Sequence, residues 1–349
     1  TICAGGTGAN VYLNNSQSGV NYQLYNGPAP VGAPVSGTGS SMNLGAQTAS
    51  GTYTVQAINA TTGCVRNMSG AATVNVNAQP ALHTVTGGGN YCAGSGGATV
   101  GLGSSSTGTN YQLYNGTTPV GGMVTGTGGP IVFGTYTASG TYTVMGMNAT
   151  TGCSRTMTGT AVIGINSLPV AYTLVGGGSI CQGATSSVTL SGSNSNVTYQ
   201  LMNGSTTIGS PVAGTGGPLT FSGLTDAGTY MVVGTNNTTS CPNYMSGTPS
   251  VVVNALPTVY TVSGGGVYCQ GGTGVEVGLS ATNTGVSYQL YKGGAVAGTP
   301  VVGTGGDISF GMQTAAGTYT VMATNNSTGC MSAMGGSALI QVNALPQSY

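Results

Sequence analysis

The chain has 349 residues but only six formally charged side chains, three Lys or Arg and three Asp or Glu, and its net charge is zero. An ordinary soluble domain is roughly 25% charged. So few charges exclude the basic stripe that binds nucleic acid and the paired titratable groups that general acid–base catalysis needs. We therefore expect neither an enzyme nor a nucleic-acid partner. Because 39% of the residues are hydrophobic, the chain is expected to fold.

Glycine is abundant but does not follow a fibrous pattern. There are 66 glycines without a three-residue period and only 14 prolines, so a collagen-like chain is excluded. Gly, Thr, Ser or Asn interrupts every apolar run, which excludes a transmembrane helix. The chain opens at Thr1 without the basic and apolar segments of a signal peptide, and we interpret it as mature or excised material.

Four repeats of one unit fill the chain. Alternate cysteines lie 89, 89 and 88 residues apart, and this step predicts repeats at 1–80, 81–169, 170–257 and 258–349. The eight cysteines are Cys3, Cys64, Cys92, Cys153, Cys181, Cys241, Cys269 and Cys330. The first repeat lacks the Thr-Val-Thr-Gly-Gly-Gly segment that precedes Cys92, and residues 347–349 look like the opening of a fifth repeat. We interpret the chain as a segment of a longer array of repeats.

Within a repeat, apolar residues alternate with polar ones. In the second repeat the predicted strands are, in chain order, residues 99–102, 110–114, 131–133, 141–145 and 160–165. Each run is bounded by Gly, Ser, Asn or Pro, and no helical period occurs. About seven short strands in about 90 residues are typical of an immunoglobulin-like sandwich. The predicted fold class is therefore all-β, a tandem array of four immunoglobulin-like β-sandwich domains forming an extended rod.

A tyrosine motif supports the sandwich. The segment Asp-Ala-Gly-Thr-Tyr at 226–230 resembles the immunoglobulin tyrosine corner, whose hydroxyl bonds back to the backbone. The candidate corner residues are Tyr53, Tyr142, Tyr230 and Tyr319. Valine stands two residues later, where antibody domains have cysteine, and the chain has no Trp. An antibody-type domain is therefore excluded.

The repetition leaves two disulfide patterns for the eight cysteines. Pairing within a repeat would join Cys3 to Cys64, and pairing across the linker would join Cys64 to Cys92. We favour the first, because it leaves no orphan cysteine and joins segments that can lie side by side in a sandwich. Closing about 60 residues contributes roughly 4 kcal/mol in the chain-entropy model. Zinc is disfavoured because no Cys-x-x-Cys pair occurs, and regular disulfides indicate an extracytoplasmic location.

The remaining polar candidates favour structural interpretations. His83 and Glu276 are interpreted as exposed strand residues, because neither has the partners that a ligand site needs. A calcium site needs several carboxylates around one ion, so we expect no metal and no cofactor. The triple glycine at 87–89 lacks the Lys and following helix of a phosphate loop, which favours a bulge or an inter-domain turn.

A row of large side chains follows the strand motif Tyr-Gln-Leu-Tyr. Its members, Tyr25, Tyr114, Met202 and Tyr291, are candidate surface contacts that could stack on sugars, although cross-strand packing is the commoner use. A glycosylation-type sequon also precedes the second cysteine of each repeat, as at Asn59. Asn, Thr and Gly are equally what a hairpin turn needs, and we favour the turn.

The combined pattern resembles a known kind of repeat. Its elements are residues 261–272, 288–291, 317–321, 325–330 and 342–346, which include Tyr-Gln-Leu-Tyr, Gly-Thr-Tyr-Thr-Val and Val-Asn-Ala-Leu-Pro. These resemble immunoglobulin-like tandem repeats in giant cell-surface proteins of Bacteroidota, including SprB-like gliding adhesins exported by the type IX secretion system. The resemblance covers all four repeats. It implies export to the cell surface and, for the gliding adhesins, a link to motility.

These observations predict a structural stalk segment of a long extracellular adhesin or surface filament, located at the cell surface. Proline in the linkers limits bending. The expected partners are neighbouring repeats of the same longer chain, other chains in lateral fibres, and glycans or abiotic surfaces. The alternative function is a carbohydrate-binding array that uses the tyrosine row.

Overall fold

The computed structural model describes residues 1–347, and these form β-strands joined by turns. No helix in this range is long and apolar enough to cross a membrane. The chain divides into two compact units, Thr1–Ser167 and Leu168–Tyr349. Each unit contains two of the sequence repeats.

Unit 1 contains eighteen strands, nine in each repeat. Those of repeat 1 are β1 (Ile2–Cys3), β2 (Ala9–Leu13), β3 (Val20–Asn26), β4 (Ala29–Ser36), β5 (Met42–Gln47), β6 (Gly51–Asn59), β7 (Val65–Asn67), β8 (Ala72–Val74) and β9 (Val76–Asn77). Those of repeat 2 are β10 (Val85–Gly87), β11 (Gly89–Cys92), β12 (Ala98–Leu102), β13 (Thr109–Asn115), β14 (Thr118–Thr125), β15 (Ile131–Tyr136), β16 (Gly140–Asn148), β17 (Ser154–Thr156) and β18 (Ala161–Asn166).

Repeat 2 shows the complete sandwich. One sheet has three strands in the order β10-β12-β15, and the other has the order β11-β18-β16-β13-β14 with β17 also paired to β16. The core between them combines Val100 and Leu102 of the small sheet with Tyr111, Leu113 and Val144 of the large one. All five are at most 1% exposed. Alternation along each strand, which sends every second side chain inward, therefore builds the core that the period of two predicts.

The triple glycine connects the two sheets. Strand β10 pairs antiparallel with β12, and β11 pairs parallel with β18, so the chain changes sheets at Gly88 between them. Gly88 has φ +82°, and a Cβ there would lie 2.7 Å from the Val162 carbonyl oxygen. Only glycine fits this crossing without strain. The triple glycine is thus a crossover inside one sandwich, which corrects the bulge or inter-domain turn inferred from the sequence.

Repeat 1 has a smaller second sheet. Its large sheet has the order β4-β3-β6-β7 with β8 also on β6, whereas β2 pairs with β5 and β1 pairs with β9 in two-stranded sheets. In repeat 2 the strand β12, which is equivalent to β2, has a partner on each side, β10 and β15. We call β10, the first strand of repeat 2, the lead-in strand. The edge of β2 that would face an equivalent strand has no strand partner within the described part of the chain.

Unit 2 repeats the arrangement. The strands of repeat 3 are β19 (Leu174–Gly176), β20 (Gly178–Cys181), β21 (Ser186–Leu190), β22 (Val197–Asn203), β23 (Thr206–Ala213), β24 (Leu219–Leu224), β25 (Gly228–Asn236), β26 (Pro242–Tyr244) and β27 (Ser250–Asn254). Those of repeat 4 are β28 (Val262–Gly264), β29 (Gly266–Cys269), β30 (Val275–Leu279), β31 (Val286–Lys292), β32 (Ala295–Val296), β33 (Val301–Val302), β34 (Ile308–Gln313), β35 (Gly317–Asn325), β36 (Met331–Ala333) and β37 (Ala338–Asn343).

The sheets of unit 2 have the same order as those of repeat 2. Repeat 3 has β19-β21-β24 facing β20-β27-β25-β22-β23, and repeat 4 has β28-β30-β34 facing β29-β37-β35-β31-β32. Each repeat of the chain encloses a hydrophobic core of its own. The predicted class, an all-β chain of four sandwich repeats, is confirmed.

The strands predicted for repeat 2 omit β10, β11, β14 and β17, and the longest of these is β14. In repeat 2 the segment Thr118–Thr125 forms β14 although it contains Pro119, Gly121 and Gly122. Strand β14 lies at the edge of the large sheet, where proline is tolerated because one side of the strand needs no ladder hydrogen bond. The fifth repeat suggested by residues 347–349 lies mostly outside the described residues.

Candidate site at the repeat junctions

The disulfides join neighbouring repeats. Cys3 of repeat 1 is bonded to Cys153 of repeat 2, with 5.5 Å between their Cα atoms. Cys181 of repeat 3 is bonded in the same way to Cys330 of repeat 4, again with 5.5 Å between the Cα atoms. In both cases the first cysteine of one repeat pairs with the second cysteine of the next.

The pairing predicted within a repeat is therefore wrong, and the geometry of the sheet explains why. Cys3 pairs with Asn77 in parallel strands, beyond the end of β6 that begins at Gly51. Cys64 follows the opposite end of β6, which closes at Asn59. At about 3.3 Å per residue these two ends lie about 25 Å apart. A disulfide requires Cα atoms within roughly 7 Å, so Cys3 and Cys64 cannot bond without breaking the sandwich.

The remaining cysteines fall into two groups. Cys92 and Cys241 are also disulfide-bonded. Cys64 and Cys269 are free and exposed thiols. The prediction that all eight cysteines form disulfides within this chain is therefore wrong for Cys64 and Cys269. Cys64 is the second cysteine of repeat 1, and Cys269 is the first cysteine of repeat 4.

The second cysteine of each repeat sits on a tight turn built by asparagine. In repeat 1 the Asn59 side-chain oxygen accepts hydrogen bonds from the backbone N–H groups of Thr61 and Thr62, at 3.0 and 2.9 Å. The Asn59 N–H donates to the Cys64 carbonyl at 2.9 Å. The same side-chain bonds recur at Asn148, Asn236 and Asn325. The asparagine of the sequon is therefore a turn-forming residue, as its local sequence favours.

The first cysteine of each repeat ends a short parallel strand. Cys3 lies opposite Asn77, and the N–H of the following residue, Ala4, donates to the Asn77 carbonyl at 2.9 Å. The equivalent pairs are Cys92 with Asn166, Cys181 with Asn254 and Cys269 with Asn343. The structure thus presents one cysteine on a turn at one end of each sandwich and the other cysteine at the opposite end.

The four corner tyrosines are buried and bonded alike. The Tyr142 hydroxyl donates to the Ala138 carbonyl at 2.9 Å. The matching bonds run from Tyr53 to Ala49, from Tyr230 to Asp226 and from Tyr319 to Ala315. Burial raises the pKa of Tyr142, Tyr230 and Tyr319 above its ordinary value, because a phenolate would lose its hydration. This hydroxyl ties the turn before the strand to the strand itself.

Sequence reasoning missed the role of the glutamine in Tyr-Gln-Leu-Tyr. In repeat 2 the Gln112 amide donates to the carbonyls of Leu113 at 3.0 Å and Val120 at 3.1 Å. The β13–β14 pairing shifts register between Tyr111 and Leu113, so these carbonyls lie at an irregularity of the ladder. The glutamine stabilises this bulge. Its recurrence at the centre of the same strand in all four repeats was the signal that could have revealed it.

The candidate contact row is half-buried. Tyr25, Tyr114, Met202 and Tyr291 are all intermediate in exposure, next to the fully buried leucine of the motif. The Tyr25 hydroxyl lies 3.5 Å from the Gln56 side-chain oxygen. These side chains are thus partly covered by their neighbours, and their role as surface contacts stays a prediction.

The isolated polar residues divide into two cases. His83 is half-buried, with Nε2 3.0 Å from the Ser106 hydroxyl and its ring edge-on to Tyr111 at 6.2 Å, so the exposed interpretation is wrong. It lies outside the named strands because the lead-in strand begins at Val85. Glu276 is exposed on β30 and accepts a hydrogen bond from the Ser309 hydroxyl. Residues 1–347 contain no cluster of three His, Cys, Asp or Glu side chains that could hold a metal ion.

Comparison with known proteins finds similar solved structures, but no protein-family model and no curated protein matches the chain. Immunoglobulin domains 1–4 of Sidekick-1 align over 98% of this chain and 96% of theirs, with 12% identity and a TM-score of 0.26. The ectodomain of mouse nectin-like molecule 4 covers 74% of this chain and 99% of its own, with 10% identity and a TM-score of 0.32. The fibronectin(III)-like modules of Clostridium thermocellum CbhA cover 51% and 98%, with 13% identity and a TM-score of 0.31.

Proposed function

We propose that the chain is a stalk segment of a long extracellular adhesin or surface filament, in which disulfides cross-link neighbouring repeats. The observation that carries the proposal is the pairing of Cys3 with Cys153 and of Cys181 with Cys330. A bond between repeats constrains their junction, whereas the predicted bond within each repeat would have left every linker free to bend. Resistance to bending and extension is the property that a stalk needs.

The pairing also determines which part of the backbone carries tension. When the chain is pulled from its two ends, force enters at Thr1, crosses from Cys3 to Cys153, continues to Cys181 and crosses to Cys330. The residues inside the two disulfide loops, 4–152 and 182–329, are not stretched. Together, the two loops contain most of the strands of the four sandwiches. Unfolding of a sandwich therefore lengthens the chain very little while the disulfides last.

The chemistry of the surface is consistent with an extracellular role. Disulfides persist in oxidising environments outside the cytoplasm. Only three Lys or Arg side chains are available to proteases that cleave after basic residues. The resemblance of the repeats to SprB-like surface proteins of Bacteroidota supports a place in surface adhesion or gliding motility.

Single-molecule pulling between the termini tests the stalk. With disulfides intact, the backbone under tension is residues 1–3, 153–181 and 330–349, which reach at most about 180 Å when extended. After reduction all 349 residues can extend, to about 1,200 Å. The Cys153→Ser variant should expose residues 4–92 to tension, up to the disulfide-bonded Cys92, and so add about 300 Å or more. The matched variant Cys64→Ser, which removes a free cysteine from the equivalent turn, should leave the length unchanged.

Two further measurements separate the stalk from its alternative. An oxidised chain that extends to the full length of the reduced one would contradict the stalk. A glycan array tests the carbohydrate-binding alternative, since selective binding lost on substitution of Tyr114 and Tyr291 would favour it. The extended rod expected from the sequence is tested by small-angle scattering, because a compact particle of this length has a radius of gyration near about 20 Å.

A further inference from the structure

The sequence contains three Asn-Gly pairs, and all three lie at the same place in their repeats. Strands β3, β13 and β22 each end at the asparagine of such a pair, and we call these residues, Asn26, Asn115 and Asn203, the hairpin asparagines. Repeat 4 has Lys292 at this position, before Gly293. Asn-Gly is the dipeptide most prone to deamidation, because glycine has no side chain to hinder attack by its backbone nitrogen. Three repeats therefore carry a reactive pair that the fourth does not have.

In the folded chain the amide of each hairpin asparagine is hydrogen-bonded. The Asn115 Nδ2 donates to the Ser139 carbonyl at 3.2 Å. The matching bonds run, also at 3.2 Å, from Asn26 to the Ser50 carbonyl and from Asn203 to the Ala227 carbonyl. The accepting carbonyl lies in the turn that precedes the strand of the corner tyrosine. The amide thus ties the hairpin to that turn in each of the three repeats.

A glycine at the start of the corner strand makes room for this amide. A Cβ at Gly140 would overlap the Asn115 Oδ1, and the backbone at Gly140 has φ +146°. The equivalent glycines are Gly51 and Gly228, which face Asn26 and Asn203 in the same way. The carboxamide is therefore packed directly against backbone, which limits its rotation.

The nitrogen that would attack the amide is also hydrogen-bonded. The Gly116 N–H donates to the Thr141 carbonyl at 3.0 Å. The equivalent bonds, from Gly27 to Thr52 and from Gly204 to Thr229, are 3.2 and 3.1 Å long. Deamidation requires this nitrogen to lose its proton and to reach the asparagine Cγ. Both reacting groups must leave their hydrogen bonds first, so the folded hairpin opposes the reaction.

We propose that the hairpin asparagines are conformationally protected deamidation sites, which are stable in the folded repeat and react when its hairpin opens. Local opening of this kind is a general property of folded chains. The proposal goes beyond the stalk and does not depend on it, since it concerns the opening of a single sandwich.

The reaction needs only water as a co-reactant. The Gly116 nitrogen loses its proton and attacks the Asn115 Cγ, and a new C–N bond closes a five-membered succinimide. The bond from Cγ to Nδ2 breaks, and that nitrogen takes up the proton and leaves as ammonia. Water then opens the succinimide at either carbonyl. The products are aspartate and isoaspartate, and nothing is oxidised or reduced.

The product does not fit the place of the asparagine. A carboxylate accepts hydrogen bonds but cannot donate them, so at position 115 it would face the Ser139 carbonyl with no proton between them. Burial raises the pKa of Tyr142 and a side-chain hydrogen bond with Asn115 lowers it, so the amide also lies beside the corner hydroxyl. That hydroxyl already donates its one proton to the Ala138 carbonyl. Isoaspartate further adds a methylene to the backbone before a two-residue turn. A repeat that reacts while open is therefore hindered from refolding.

The asparagine before the second cysteine provides a matched control. The Asn148 Oδ1 accepts hydrogen bonds from the N–H groups of Thr150 and Thr151, both at 3.0 Å. A carboxylate can accept the same two bonds, so aspartate can replace asparagine there. Asn148 also precedes Ala149, whose side chain hinders attack by the backbone nitrogen. We therefore expect slow deamidation at Asn148 and a harmless product.

Peptide mass spectrometry of the disulfide-bonded chain at neutral pH, with and without a denaturing concentration of guanidinium, tests the protection. Aspartate and isoaspartate at the hairpin asparagines should form at least about tenfold faster in the denatured chain. Asn148, read in the same digests, should react slowly in both states. Equal rates in the two states, or no reaction at Asn115 in the denatured chain, would overturn the proposal.

Repeat 4 allows the site to be introduced instead of removed. Lys292→Asn creates an Asn-Gly pair before Gly293, whose N–H donates to the Thr318 carbonyl at 3.1 Å as in the other repeats. We expect position 292 to be protected in the folded variant and to react in guanidinium as fast as Asn115. Fast reaction at position 292 in the folded variant would contradict protection by the hairpin.

Substitution tests the effect of the product. Asn115→Asp should lower the melting temperature of repeat 2 by several degrees, whereas Asn148→Asp should shift it by less than about one degree. Hydrogen exchange within β13 assigns the change to repeat 2. Equal melting temperatures for the two variants would refute the claim that deamidation hinders refolding.

Discussion

Repeats 1 and 2 are built from the same local sequence but differ at two places on their surface. Cys64 and Cys153 sit on matching asparagine turns, yet one is an exposed thiol and the other is buried in a bond to Cys3. Strand β2 has one neighbour where β12 has two. The difference shows that the local sequence forms the turn and the strand, whereas a neighbouring element decides whether they are covered.

Removal of the disulfide between Cys3 and Cys153 should cause the largest loss of stability. The double variant Cys3→Ser, Cys153→Ser opens a loop with a sequence separation of 150 residues. In the chain-entropy model this costs about 5 kcal/mol of unfolding free energy. Guanidinium unfolding of the variant measures the loss. Cys64→Ser in the same assay should shift stability by less than about 0.5 kcal/mol, since an exposed side chain with no bond is altered.

Shortening the buried side chain of β10 should weaken the element of repeat 2 that repeat 1 lacks. Val85 is 6% exposed in the core, so Val85→Ala opens a cavity and should destabilise the repeat by about 2 kcal/mol. Thermal unfolding and hydrogen exchange at β12 report the change. The neighbouring Thr86 is exposed, and Thr86→Ala should have almost no effect. An equal loss from both variants would show that the strand acts through its backbone alone.

The corner tyrosine tests a feature of the sandwich that does not depend on the junction. Tyr142→Phe removes the hydrogen bond to the Ala138 carbonyl and should cost about 1 kcal/mol. Burial raises the pKa of Tyr142 in the folded chain, so the folded state keeps its proton at a pH where the unfolded state has lost it. Stability is therefore full below about pH 10 and falls as pH rises above it. Urea unfolding from pH 8 to pH 11.5 should show a shallower fall for the variant, and an identical profile would contradict this origin.

Chelation should have the smallest effect. The three acidic residues are spread over repeats 3 and 4, and the sequence of repeats 1 and 2 contains none. A chelator should leave the melting temperature and the length of the chain unchanged. High salt should likewise leave any lateral fibres intact, since uncharged edges are screened weakly. A drop of several degrees on chelation would reveal an ion site that the comparison of repeats does not include.

Local features were readable from the sequence. The period of two predicted the buried faces of β12 and β13, since alternate side chains on a strand point to opposite sides. The asparagine turns and the tyrosine motif depend on residues within five positions of each other, so their hydrogen bonds follow from the local chain. Strand β14 was missed because its edge position, which makes Pro119 acceptable, depends on the rest of the sheet.

The repeat, its strands and the turns that present the cysteines follow from the sequence, because each depends on spacing along the chain. Which cysteines bond depends on how the strands pair and the repeats fold. Parallel pairing of β1 with β9 places Cys3 at the far end of the sandwich from Cys64, and close to Cys153 of the next repeat. A disulfide depends on a distance of a few ångströms in space, and the 28-residue and 61-residue spacings in the sequence do not specify that distance. Cys64 and Cys269 have the same spacings as the bonded cysteines, yet in the described structure they are free thiols.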